Sequence, residues 1–360
     1  MALAAIFLTF HQEFSDAIIL KKQLLVDVLT VANLKETQPV SILFVGDLML
    51  SRGVAYQIQK NNDLYFPFRY FRNLLQKSDF VFANLESPLI NGRKIHAGEM
   101  TLRADEKMAP ILKEMNFSIV SLANNHLLDF NENGLLNTLK ILNENQIQYV
   151  GVGENFEEAH QFKILEKNGI KFAFLAYNDS DVVSKSTQAE TNKPGTAFMD
   201  INALKTDIAE AKKSADYVIV SMHGGNEYQA DPNNRQIEFN HTAIDAGANL
   251  VIGHHPHVVQ KIEKYENGYI FYGLGNFIFD QMWSEATRQG AAIQINFLRD
   301  RIKNIKIIPF VIENYSQPRI IYSQTDAIAF KQIVDALQIP VDKIFNVENK
   351  VNLSCPCHQF

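Results

Sequence analysis

Short apolar runs recur along this chain, and each stops at a residue with an ionisable or amide side chain. Ser41-Ile42-Leu43-Phe44-Val45 ends at Gly46-Asp47, and Asp79-Phe80-Val81-Phe82-Ala83 ends at Asn84-Leu85-Glu86. Phe117 to Ala123 leads into Asn124-Asn125-His126, and Tyr217 to Met222 leads into His223-Gly224-Gly225. Asn249 to Ile252 passes through Gly253 into His254-His255-Pro256-His257. Such runs read as buried strands, and the stretches Leu64 to Lys77, Asn131 to Asn145, Ile201 to Ser214 and Pro232 to Ala246 carry a helical period. Strands joined by helical crossovers gather their carboxyl ends along one edge of a sheet, where ligands bind. The expectation is that these five endings meet at one site, provided their strands share a sheet.

The histidine cluster is the most informative ending. Side chains alternate along an extended chain, and Pro256 biases the residue before it towards the extended conformation, so His255 and His257 are expected to project the same way. Crowded imidazoles gain little from packing but suit zinc, iron, manganese or nickel. Read singly, the other endings are ambiguous. Asp47 is equally a turn former or a helix N-cap, and Glu86 before Ser87-Pro88 is equally a loop carboxylate. Their joint occurrence carries the metal-site reading.

A chain of 360 residues with 46% apolar side chains can bury one large domain with appendages. The formal net charge of −6, with no basic run interleaved with aromatics, argues against nucleic acid as a partner. Cys355 and Cys357 are the only cysteines, so no disulfide framework crosses the body of the chain, and this terminal pair is set outside the site. Met1 to Phe10 lacks a positive leader region, and Ala17 to Leu34 is interrupted by Lys21, Lys22 and Asp27, so no standard signal peptide is evident and no stretch reaches the length of a membrane span; a degenerate signal, an imprecise gene start and an amphipathic helix packed on the domain stay open as readings. Residues 1–40 read as an N-terminal extension of helical character, 41–320 as the principal domain, and 321–360 as a closing helix near Thr325 to Leu337 with a tail. From Tyr269 onward consecutive strands, Ile270 to Gly273, Asn276 to Phe279, Ala292 to Phe297 and Ile302 to Ile308, suggest hairpins that lengthen a sheet or form a second one. The fold class expected is α/β, a two-sheet sandwich covered by helices. No Gly-rich phosphate loop of the P-loop type is present, which disfavours a kinase.

Four ordered motifs, Gly46-Asp47-Leu48-Met49-Leu50-Ser51-Arg52, Asn84-Leu85-Glu86-Ser87-Pro88, Ala123-Asn124-Asn125-His126-Leu127-Leu128-Asp129 and Gly253-His254-His255-Pro256-His257-Val258, resemble those of the CapA, or poly-gamma-glutamate synthesis protein, family. The resemblance runs from about Ser41 to about Asp280. That family is similar to the calcineurin-like metallophosphoesterases, so the resemblance implies a metallophosphoesterase-like, four-layer fold: a two-sheet β sandwich flanked by helices, with metals at the strand ends. It implies metal ligands at Asp47, Glu86, Asn125, His223, His255 and His257, holding one or two divalent ions of manganese, iron, zinc or magnesium. His126 would act on the leaving group. Asp129 would either orient it or cap the helix beginning at Asn131, the cap being the preferred reading. Asn84, Arg103 and Asn276 are candidates for substrate contact, with a surface salt bridge as the alternative for Arg103; Tyr177 and Asn178 end another strand and are candidates for lining the pocket. The superfamily's first motif has a histidine where this chain has Met49, and Glu86 is longer by a methylene than the usual aspartate, so one metal is expected to be weak or absent. A divalent ion at such a site lowers the pKa of water from about 15.7 towards 7. The function implied is metal-dependent hydrolysis of a phosphoester or an anionic polymer linkage. The alternative is a non-catalytic component that holds the polymer beside membrane-bound capsule synthesis proteins of the cell envelope.

Overall fold

The computed structural model describes residues 21–22, 38–338 and 345–347, the last three by their backbone. The expected helical extension therefore falls almost wholly, and the Cys355/Cys357 tail wholly, outside the described residues. The chain divides into two units, Met1–Gln38 and Pro39–Phe360, and the second carries every element below. It opens with β1 (Val40–Leu48), α1 (Arg52–Asn61), α2 (Arg72–Lys77), β2 (Phe80–Leu85), α3 (Met108–Glu114), β3 (Phe117–Ser121), α4 (Asn131–Glu144), β4 (Gln148–Val150) and β5 (Val152–Gly153). There follow α5 (Phe156–Ala159), β6 (Lys163–Lys167), β7 (Ile170–Asn178), β8 (Gly195–Thr196), α6 (Ile201–Ala211), β9 (Tyr217–His223), α7 (Asn234–Ala246) and β10 (Leu250–His254). The last part holds β11 (Ile262–Tyr265), β12 (Gly268–Phe271), β13 (Asn276–Ile278), α8 (Glu285–Arg288), β14 (Gln289–Phe297), β15 (Ile302–Glu313), β16 (Gln317–Ile320), α9 (Ala327–Ala336) and β17 (Phe345–Val347). No helix among the described residues is long and apolar enough to cross a membrane.

Two large sheets form. One runs β16-β15-β14-β1-β2-β3-β4, with β13 on β1 and β17 on β15; the other runs β11-β12-β10-β9-β7-β6. The period of two along each central strand sorts its side chains into layers. From β1, Ile42 and Phe44 join Phe82, Phe172, Phe174, Ile219 and Ile252 in the core between the sheets, where the Phe82 and Phe174 rings stack 5.6 Å apart. Leu43 and Val45 point the other way, against Val54 and Ile58 of α1 and Leu135 and Leu139 of α4. On the far side Leu175, Val220 and Val251 pack on Leu204 and Ile208 of α6 and Phe239 of α7. Helix, sheet, sheet and helix make the expected four layers. Local chemistry agrees with the packing: Asp200 caps α6, Asn233 and Gln236 close a capping box on α7, and Gly247 ends α7 at φ 111°, a conformation that costs glycine little.

Three expectations need correction. The five endings belong to strands of two sheets, since β1, β2 and β3 lie in one and β9 and β10 in the other. They still converge, because the parallel strands of both sheets end on one edge of the sandwich: the His255 backbone N–H donates to Asp47 across the sheets. Second, β13 does not continue from β12 as a hairpin but crosses to pair with β1 in parallel, while β14 and β15 do form the expected antiparallel extension. Third, Leu64 to Lys77 is not one helix. A 3-10 turn at Phe66–Phe68 contains Pro67, which has no N–H to give, and α2 begins only at Arg72.

Candidate metal centre

Asp47 is placed by a close approach of backbones. A Cβ on Gly46 would lie 1.8 Å from the Gly275 carbonyl oxygen, so only glycine lets β1 run so close to that turn. The Asp47 N–H then donates to the Gly275 carbonyl at 3.1 Å, and its carboxylate turns inward, fully buried. The end of β2 supplies Asn84 and Glu86. The Asn84 amide nitrogen stands 2.9 Å from Asp47 Oδ1, 3.2 Å from Glu86 Oε2 and 3.2 Å from His223 Nδ1. Its amide oxygen accepts from Asn124 at 3.1 Å. Asn84 thus ties β1, β2, β3 and β9 together at their ends, and its side chain is spent on candidate ligands. From β9, His223 presents Nε2 to Asn125 Oδ1 at 2.9 Å.

The histidine turn is paired by a mechanism other than strand alternation. β10 ends at His254, and both His255 (φ 96°) and His257 (φ 58°) lie in the left-handed region, not the extended one expected before Pro256. Such a backbone costs roughly 1–3 kcal/mol per residue and persists where surrounding contacts dictate it. Here those contacts are the His255 N–H donating to Asp47 Oδ2 at 3.3 Å and the Tyr228 N–H donating to the Pro256 carbonyl at 2.8 Å. The two rings end 5.9 Å apart, and His255 lies 4.8 Å from the ring of His223. His257 Nδ1 meets Asn276 Oδ1 at 2.9 Å and Asp47 Oδ2 at 3.4 Å, while its Nε2 is 3.8 Å from Glu86 Oε1. Asn276 is itself fixed by Gln281 and the Thr287 carbonyl, both at 3.0 Å.

His126 borders this cluster, with Nε2 3.9 Å from Glu86 Oε1 and Nδ1 2.8 Å from Asp129 Oδ2. Asp129 does not cap the following helix. Phe130 occupies the cap position of α4, and Asp129 instead accepts from the Leu102 N–H at 2.6 Å as well as from His126. Arg103, the next residue, gives its guanidinium to the carbonyls of Ile90, Gly92 and Arg93, each at 2.7 Å, which holds the 90–93 loop. Tyr177 packs in the helix-side core with its hydroxyl on Asp207, away from the site. Asn178 ends β7 in register with His223.

Burial is the largest influence on Asp47 and disfavours its charge, yet hydrogen bonds and attraction from His254 and His257 outweigh it and hold the carboxyl well below its usual range. Glu86 goes the other way: burial, then the neighbouring Asp47, push it well above the usual range. Burial, then His255, drives His223 down, and burial, then His257, takes His255 down to about 3. For His257 burial works downward, but Glu86 and Asp47 prevail and raise it to about 9. Two carboxylates and several imidazoles are thus crowded out of water with lone pairs to spare. Glu86 Oε1, His254 Nε2 and His255 Nδ1 are buried without a hydrogen-bond partner among the described residues, and a cation is the partner that such a donor set fits. Ligand atoms of Asp47, Glu86 and His257 lie within 4.8 Å of one another, as do those of Glu227, His255 and His257.

Sequence reasoning missed Glu227 and His254 as members of the cluster. Glu227 follows His223 by four residues through a Gly-Gly turn, outside any strand period, and only the strand ending itself hinted at it. His254 was visible as the first histidine of its motif; its Nδ1 lies 3.2 Å from Asp47 Oδ1. Met49 is buried in the core on the helix side, its sulfur accepting from the Ser51 N–H at 2.9 Å. Position 49 therefore supplies no imidazole, and Glu227 stands as a carboxylate next to His255 and His257.

Comparison with solved structures finds a putative 5'-nucleotidase from Staphylococcus aureus, 12% identical, covering 83% of this chain and 58% of that one at a TM-score of 0.49. A calcineurin-like phosphoesterase from Bacillus subtilis, also 12% identical, covers 84% of this chain and 99% of its own at 0.46. Among curated proteins, the capsule biosynthesis protein CapA of Bacillus anthracis is 33% identical over 300 residues, 81% of this chain and 72% of that protein. The PGA biosynthesis protein CapA of Bacillus subtilis (strain 168) is 35% identical over 275 residues, 76% of this chain and 71% of that protein. The family model of the bacterial capsule synthesis protein PGA_cap matches residues 41–281, the stretch that carries every strand ending described above, and the chain belongs to that family.

Proposed function

We propose that this protein is a metal-dependent hydrolase of capsule polymer metabolism, acting on a phosphoester or on a linkage of an anionic polymer such as poly-gamma-glutamate, with residues 41–320 as the working domain. The observation that carries the reading is Glu86 Oε1: a buried carboxylate oxygen with no hydrogen-bond partner among the described residues, faced by His126 at 3.9 Å and His257 at 3.8 Å. Asp47, Glu86, Asn125, His223, His255 and His257, joined by Glu227, would hold one or two divalent cations. When bound, such a cation polarises the scissile group and lowers the pKa of water.

The chain's own groups do the rest. Asn84 fixes the carboxylates of Asp47 and Glu86 relative to each other, which keeps the ligand set from collapsing. Asn276 sets the ring plane of His257. Asp129 accepts from Nδ1–H of His126 and fixes the ring so that Nε2 faces the centre; with both ring nitrogens protonated, His126 gives its Nε2 proton to the leaving oxygen or nitrogen and keeps the one on Nδ1. Burial of nearly all of these groups keeps bulk water away from the reacting centre. The setting is the cell envelope, where membrane-bound capsule synthesis proteins are the partners proposed.

Elemental analysis of the purified protein, followed by turnover on bis(p-nitrophenyl) phosphate and on poly-gamma-glutamate, tests this. Stoichiometric metal and chelator-sensitive turnover that disappears in His255→Ala are the expected results. A metal-free protein that turns over neither substrate after loading with manganese, zinc or iron would refute the hydrolase reading.

A further inference from the structure

A cavity of about 420 Å³ opens against α1, lined by Ser51, Arg52, Gln59, Lys94, Arg103 and Lys107 among other residues. That volume is within the range of about 300–1,000 Å³ common to ligand pockets. Its walls hold four cations, Arg52, Lys94, Arg103 and Lys107, against two carboxylates, Asp63 and Asp105, an excess of two positive charges in a chain whose net charge is −6. The partners of each show where the excess resides. Arg52 is neutralised by Asp280 at 2.6 Å and Lys107 by Asp105 at 3.3 Å. Arg103 donates only to neutral carbonyls, so its charge stays uncompensated. The Lys94 ammonium lies 5.1 Å from the centre of the Tyr56 ring and forms no ion pair among the described residues.

Residues that line the cavity also brace the metal centre. Ser51 Oγ accepts from the Arg103 N–H at 3.1 Å, and the preceding N–H, that of Leu102, donates to the carboxylate that holds His126. Arg52 sits over the Phe279 ring at 5.6 Å, and that ring packs 4.9 Å from His257. A long substrate held at the centre needs a place for the rest of its length, and this cavity, built on the segments that position His126 and His257, carries unbalanced positive charge.

We infer that this cleft binds a polyanionic chain of repeated carboxylates, with Lys94 and Arg103 as its charge contacts; the inference rests on the reading of a polymer-directed protein given above. Binding there is electrostatic and falls with salt. The full-length protein is titrated into fluorescently labelled poly-gamma-glutamate at low ionic strength and anisotropy is read. Lys94→Glu, an exposed position whose folding is checked by its melting temperature, weakens binding about tenfold, equivalent to about 1.4 kcal/mol. Gln59→Glu weakens it about threefold, and chelator treatment of the unaltered protein shifts it by less than about twofold. Equal affinity in Lys94→Glu, loss of binding on chelation, or displacement of a labelled polyphosphate with no measurable binding of polyglutamate would each overturn the inference. Turnover of the small phosphodiester by the unaltered protein reports the hydrolase reading separately: its absence ends that reading and leaves the anisotropy result standing.

Discussion

Glu86→Gln separates a metal site from an ordinary buried polar cluster, because the two accounts predict opposite signs. Glu86 is fully buried, its carboxyl is pushed up by burial and by Asp47, and one oxygen has no partner among the described residues. Leaving a buried acceptor unsatisfied costs about 1–3 kcal/mol, a penalty the metal-free protein bears and a bound cation removes. For a unit spanning Pro39–Phe360, an unfolding entropy of about 2.1 cal/mol/K per residue amounts to about 0.7 kcal/mol/K. A cation present at 100 times its Kd adds about 2.7 kcal/mol, hence a rise of about 4 °C in Tm. In Glu86→Gln the neutral amide still accepts from Asn84 but no longer repels Asp47. The chelated variant should melt level with the chelated parent or up to about 4 °C above it, and the cation-induced rise should fall below about 1 °C. Differential scanning calorimetry with and without chelator, across manganese, zinc and magnesium, makes the measurement. A variant that melts lower when metal-free and keeps the full cation-induced rise would refute the reasoning.

Other consequences can be measured directly. Cation binding must displace the proton of His257, whose pKa in the metal-free protein is raised to about 9; that protonated ring stabilises the metal-free fold fully below about 6.5 and ceases to do so as pH rises through about 9. The cation-induced rise in Tm should therefore grow from pH 6.5 to 9, and a rise independent of pH in calorimetric scans would count against His257 as a ligand. His126→Ala should lower kcat on the phosphodiester about 100- to 10,000-fold, and Asp129→Asn about 10- to 100-fold with metal content unchanged. Glu227→Gln should weaken cation affinity by calorimetric titration while leaving the metal-free Tm within about 1 °C, as its side chain is exposed. Phe174→Ala, which empties the stack on Phe82 between the sheets, should cost about 3–5 kcal/mol, read as a fall of about 4–7 °C in Tm.

The layers were legible because they depend on a period. Ile42 and Phe44 face one core and Leu43 and Val45 the other, and that alternation is written in the sequence. Which sheet a strand joins is not written locally: β9 and β10 have the same apolar character as β1 and β2, and their separation into a second sheet follows from long-range pairing. The same limit explains β13, three residues long, whose partner β1 lies far earlier in the chain. Asp129 shows a second kind of limit. An aspartate two residues before a helix reads as a cap until the Leu102 N–H and the His126 ring are seen to claim its carboxylate.

The histidine turn carries the more general lesson. Proline and strand alternation together predicted that His255 and His257 share a face, and the two rings do sit side by side, but on a left-handed backbone that neither rule anticipates. What sets that backbone comes from elsewhere in the chain: Asp47 from β1, and Tyr228 from the loop after β9. Tyr228 is also the residue after Glu227, so the segment that pins Pro256 carries the extra carboxylate to His255 and His257. The shape of the histidine turn and the placement of the carboxylate at 227 are therefore coupled through one loop. Proline at position 228 removes the N–H that holds Pro256 and cannot adopt the φ of 61° that Tyr228 has, so Tyr228→Pro should free both the histidine turn and Glu227 at once. Cation affinity should then fall by more than in Glu227→Gln, with the phosphodiester KM and kcat changing together. If Tyr228→Pro binds the cation as tightly as Glu227→Gln does, the turn holds its shape without that bond and the coupling argued here is wrong.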